Sequence, residues 1–146
     1  MKPEVVYTKA APKTGFSEGM ESPIAQGVKC GQFLFVSGQG PLDPATKEVV
    51  SPDLAEQTRV TLDNMRAVLE AGGTSIENVV KVGVFLRSMD DFPVVQSRVQ
   101  GIFQGSAAGA HDRGGRGPAQ GRQRGDRLHR VHSVTFTLSL QGRGAG

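Results

Sequence analysis

The chain has 146 residues and a mass of 15.5 kDa, enough for one domain with its own core and too short for two. Its single cysteine, Cys30, excludes an internal disulfide scaffold and a thiolate metal cluster, and fits a reducing compartment. No apolar run approaches the roughly 20 residues that span a bilayer, and the start MKPEVVYTKAAPK lacks the apolar core of a signal peptide, so a soluble, cytoplasmic protein without a membrane partner is expected. The net charge of +3 conceals a division: residues 1–103 carry 10 Lys and Arg against 12 Asp and Glu, whereas residues 104–146 carry seven Arg, no Lys and two Asp. All three histidines and 10 of the 20 glycines also follow Phe103. Two kinds of sequence are joined: an ordered domain over 1–103 and a basic Arg/Gly-rich tail over 104–146.

In chain order, Glu4–Thr8 is a short candidate strand, followed by a Pro/Gly-containing loop from Ala11 to Pro23. Gln32–Ser37 (QFLFVS) is apolar, aromatic and β-branched, and Gly38 closes it, the pattern of a buried strand, with Val28–Gly31 leading into it. The stretch Gly38–Pro44 is dense in turn residues. Ser51 and Asp53 offer helix N-caps. Leu54, Val60, Leu62, Met65, Val68 and Leu69 then recur near a 3.6 period until Gly72-Gly73, giving a helix of about 18 residues. Ser75–Asn78 forms a turn and Val79–Leu86 (VVKVGVFL) a strand. Asp90-Asp91 precedes Phe92, Val95, Val99, Ile102 and Phe103, spaced as one face of a second helix with acidic residues at its positive end. Two amphipathic helices on one sheet face imply an α/β sandwich, and such a sheet needs more strands than these three. Ile, Leu, Val and Phe nearly vanish between Gln104 and Arg127, which is expected to be irregular. Ser133–Leu140 (SVTFTLSL) alternates enough to offer one strand.

From about Ser22 to Phe103 the residues resemble the RidA/YjgF family. The resemblance rests on Val36-Ser37-Gly38-Gln39, Glu56-Gln57-Thr58, Asp63-Asn64, Lys81 with the strand that follows, and Met89-Asp90-Asp91-Phe92, in this order and spacing. It implies an α+β fold like that of bacterial chorismate mutase, a sheet covered by two helices, and a homotrimer with clefts between subunits. It further implies hydrolysis of reactive imine and enamine acids such as 2-aminoacrylate to 2-keto acids and ammonia, without metal or other cofactor. Some members of the family are described as ribonucleases or translation inhibitors, and others only bind ligands. Ser37 and Gly38 match the cleft-lining strand end, Ile24 replaces a cleft tyrosine within Ser22-Pro23-Ile24-Ala25-Gln26, and Gln96 stands where the family often has asparagine. These four are the substrate-binding candidates.

The resemblance stops after Phe103. The family continues with a proline-proline-alanine-arginine run and two strands, the second carrying a glutamate. This chain has Ala107-Ala-Gly-Ala-His-Asp-Arg-Gly-Gly-Arg-Gly-Pro118 instead. If the codons from Gly105 to Val131 are re-read one base later, with third bases chosen freely, they encode EAPPARTTVEVAGLPKGANVEIDCIAF, the family's missing half. A frameshift near Gln104 or Gly105, in the gene or in its sequencing, is therefore expected. The guanidinium suited to grip a substrate carboxylate and the carboxyl group suited to activate water then fall out of frame, across Ala110/His111 and Gly125/Asp126. The C-terminal strands are expected to be missing or irregular and activity weak or absent.

Plainer readings accompany these. Taken alone, Ser37 is a structural hydroxyl at a strand end, Cys30 a small core residue, and Asp90-Asp91 a helix cap. His129 and His132 lack a third ligand at suitable spacing, so no metal site is expected. Gly38-Gln-Gly40 lacks the third glycine and following helix of a dinucleotide fingerprint. The alternative function is a non-catalytic small-ligand or RNA-binding protein, whose arm would be Arg113-Gly-Gly-Arg-Gly with Arg122, Arg124, Arg127 and Arg130. Phe136 is the tail's one aromatic residue, and out-of-frame GC-rich codons give the same bias, so only non-specific contact with nucleic acid is expected.

Overall fold

The computed structural model describes residues 2–13, 23–104 and 133–140, the last as a strand of backbone. In chain order its elements are β1 (Glu4–Val6), β2 (Gly27–Cys30), β3 (Phe33–Val36), α1 (Leu54–Ala71), β4 (Lys81–Leu86), α2 (Phe92–Ile102) and β5 (Ser133–Leu140). They build one five-stranded sheet in the order β1-β2-β3-β5-β4. The first three strands form an antiparallel meander, and β5 runs parallel to both β3 and β4. This is the α+β architecture of a sheet with two helices. The strand that the alternation of Ser133–Leu140 offers does form, and it takes an interior place. Gln104 closes the second described stretch, and the rest of Gln104–Arg127, with both arginine runs and all three histidines, lies outside the described residues.

Local chemistry explains the boundaries. Gly31, at φ 61°, opens the two-residue connection Gly31-Gln32 between β2 and β3, where a tight hairpin needs positive φ. At the start of α1 the Asp53 carboxylate accepts the Glu56 N–H at 2.9 Å, and the Ser51 hydroxyl accepts the Asp53 N–H at 3.0 Å. The expected cap of the second helix sits one turn earlier. Ser88, not the aspartates, accepts the Asp90 N–H, a 3₁₀ turn over Met89–Asp91 intervenes, and the Asp91 side chain makes no cap hydrogen bond. The fourth strand begins at Lys81 rather than Val79, because Val79 closes the 3₁₀ turn Ile76–Asn78 through its N–H to Ile76 O.

The core lies between the sheet and α1. Leu34 and Val36 of β3 meet Leu62, Met65, Val68 and Leu69 of α1, joined by Val6, Ile76, Val79 and Phe103, all buried. A smaller cluster of Leu54 and Val95 fastens α2 over Val84 and Leu86 at the β4 side. α1 approaches the sheet so closely that a Cβ on Gly27 would stand 3.3 Å from Val68 Cγ1. Among the described residues, nothing covers the other sheet face. Val5 is 73% exposed, Phe33 50%, Phe35 52% and Phe85 62%, so β3 is not the fully buried strand its composition implies. Its alternate residues are half a core and half an uncovered apolar surface, of the kind that marks an interaction face.

Candidate functional site

The end of β3 and the entry to β2 meet at one corner of the sheet. The register Gly27↔Val36 continues one step further as the Ser37 N–H bonds to Gln26 O at 3.0 Å. The Ser37 hydroxyl lies 2.5 Å from Ala25 O. A carbonyl can only accept, so the hydroxyl proton is committed to Ala25, and toward any ligand Ser37 presents lone pairs. That arrangement suits a hydrogen-bond donor better than a carboxylate.

Ile24 precedes this pair and is 53% exposed, and Gly38 follows it, also exposed. Three of the four candidates, Ile24, Ser37 and Gly38, are therefore gathered within a few residues of one backbone junction. Gln96 is exposed on α2, whose Val95 packs toward β4, across the sheet order from β2. A single chain does not bring it to the corner. Cys30 is half-buried on β2 and in register with Phe33. The tail arginines, His129 and His132 fall outside the described residues.

The segment behind the corner is held by amides. Gln39 is 1% exposed, and its Nε2 donates to Ser37 O at 3.1 Å. Asn64 of α1 donates to Gly40 O and Leu42 O at 3.1 and 2.8 Å, and Gln57 to Ser51 O at 2.9 Å. Each end of the 37–51 connection is thus pinned by a buried side-chain amide. Gln26, on the other side of Ser37, holds the N-terminal segment. Sequence reasoning passes over it as one letter of a motif, since a lone glutamine in a loop has no periodicity to mark it.

The family model described as Endoribonuclease L-PSP matches residues 18–114. The chain belongs to the RidA/YjgF family. A RutC family protein of Pyrococcus horikoshii is 46% identical over 89 residues, which cover 61% of this chain and 66% of that protein. The 2-iminobutanoate/2-iminopropanoate deaminase of Escherichia coli is 40% identical over 81 residues, 56% of this chain and 62% of the enzyme. The match thus spans about two thirds of the length of these curated relatives. Among solved structures, the YjgF gene product of Escherichia coli superposes with a TM-score of 0.58 at 33% identity, covering 69% of this chain and 74% of that one. RidA from an Antarctic Psychrobacter gives a TM-score of 0.55 at 29% identity, covering 64% and 71%. Among the described residues no helix is long and apolar enough to cross a membrane.

Proposed function

We propose that this is a RidA-like protein whose frame-restored form hydrolyses 2-imino and enamine acids of the 2-aminoacrylate type, and that the 146-residue chain itself is a weak or inactive version of it. In the reaction water adds to the imine carbon, the carbon–nitrogen bond breaks, and a 2-keto acid and ammonia leave. Ser37 and Gly38 line the cleft, with the Ser37 oxygen accepting from the substrate nitrogen. Ile24 takes a tyrosine's place with no hydroxyl to offer, which points to altered substrate preference, and Gln96 would join the site only from a neighbouring subunit. Homotrimeric assembly in the cytoplasm completes this reading, with the open face bearing Val5, Phe33, Phe35 and Phe85 as the surface available to it. A frameshift near Gln104 or Gly105 accounts for the missing arginine and glutamate. The observation that carries the reading is the 40% identity over 81 residues to the 2-iminobutanoate/2-iminopropanoate deaminase of Escherichia coli.

The test is incubation of the chain with enzymatically generated 2-aminoacrylate. Release of the 2-keto acid should fall far below that of an intact relative, and the frame-restored chain should accelerate it. Turnover by the 146-residue chain comparable to an intact relative overturns the impairment, and an inert frame-restored chain overturns the deaminase reading. Nucleotide sequence across codons 100–110 decides the frame.

A further inference from the structure

Gln26 stands at the entry to β2 with 4% of its surface exposed. Burying a primary amide is unfavourable unless both its ends are bonded, and both are. Oε1 accepts the Thr8 N–H at 2.7 Å. Nε2 lies 3.1, 2.9 and 3.3 Å from the carbonyl oxygens of Thr8, Ala11 and Pro12, so its two N–H groups are shared among three acceptors. These partners are 14 to 18 residues away in sequence and belong to a stretch that has left β1 and has no ladder of its own. One side chain supplies the hydrogen bonds a neighbouring strand would otherwise give. Ala11 and Pro12 are buried beneath this contact.

On its main-chain side, the same residue accepts the Ser37 N–H, and the residue before it accepts the Ser37 hydroxyl. The two attachments are continuous through the Ala25–Gln26 peptide. The two other buried glutamines among the described residues, Gln39 and Gln57, differ: their Nε2 groups donate to Ser37 O and Ser51 O, and neither Oε1 has a partner.

We propose that Gln26 is a positioning residue for the Ser37–Gly38 corner: its carboxamide latches Thr8–Pro12 to the entry of β2, and the latch fixes the two carbonyls that hold Ser37. The functional weight of this latch rests on the corner being the ligand site, as proposed above, whereas the coupling of the two segments does not.

The experiment is hydrogen exchange and amide NMR on the full 146-residue chain as wild type, Gln26→Ala, Gln26→Glu and Gln57→Ala. Gln26→Glu keeps the size and an acceptor for the Thr8 N–H, but at neutral pH it has no donor for the three carbonyls. Both Gln26 variants should lower protection of residues 2–13 and of the Ser37 amide about tenfold and shift the Ser37 amide resonance, with α1 protection unchanged. Gln57→Ala should leave both segments as they were. An undisturbed Ser37 amide in both Gln26 variants overturns the proposal. So does an equal loss of protection along α1, which reduces Gln26 to general stability. Because the readout involves no substrate, a chain without deaminase activity leaves the latch standing, and a failed latch leaves the deaminase reading standing.

Discussion

The Cβ that Gly72 lacks would stand 2.4 Å from Cδ2 of Leu34, closer than any side chain tolerates. The C-cap of α1 therefore rests directly on the residue of β3 that anchors the core. Gly72→Ala should destabilise the fold by about 1–3 kcal/mol through forced displacement of Leu34. Gly101 in α2 makes the contrast, since a Cβ there meets nothing within 4 Å. Gly101→Ala should stabilise by about 0.5–1 kcal/mol through helix propensity. Thermal melts of the two variants should move in opposite directions, and a common direction contradicts the packing argument.

Asn64 ties α1 to the connection after β3 through two hydrogen bonds from a single nitrogen, to Gly40 O and Leu42 O. Asn64→Ala strips both carbonyls of a donor inside a buried environment. The expected loss is about 2 kcal/mol, read from the urea midpoint at unchanged slope. A midpoint equal to wild type means that water replaces the amide without cost.

The loop 43–48 carries a pH dependence whose sign follows from its geometry. Backbone N–H groups of Thr46 and Ala45 donate to the Asp43 carboxylate and hold its pKa below the ordinary 3.8. A carboxyl whose folded value lies below its unfolded value contributes stability that is present above the unfolded value and is lost as pH falls through the folded one. Protection of the Ala45 and Thr46 amides should therefore hold at neutral pH and decay in acid below about pH 4. Asp43→Asn should flatten that decay. A wild-type profile level down to pH 2 counts against the assignment.

The helices and their neighbours are readable from residues alone because their signals are local. Asp53, the repeat from Leu54 to Leu69 and Gly72-Gly73 delimit α1 as the structure does. Ser88 escapes because the acidic pair beside it satisfies the same charge argument, and only backbone geometry separates a hydroxyl cap from a carboxylate at the N-cap. Phe33 and Phe35 mislead because an apolar run looks alike whether one face or both are covered. Strand pairing is non-local: the alternation of Ser133–Leu140 announces a strand but not its neighbours. Of the site, Ser37, Gly38 and Ile24 come from family spacing, while the hydrogen bonds around Gln26 join loops that no periodicity connects.

The interior place of β5 has a consequence for how the molecule comes into being. Among the described residues the meander of β1–β3 and the separate β4 share no ladder with each other, and within the sheet residues 133–140 join them. A ribosome delivers that bridge after both halves have emerged. Until then the nascent chain presents two open strand margins at once, so its solubility during synthesis depends on how fast the last strand arrives.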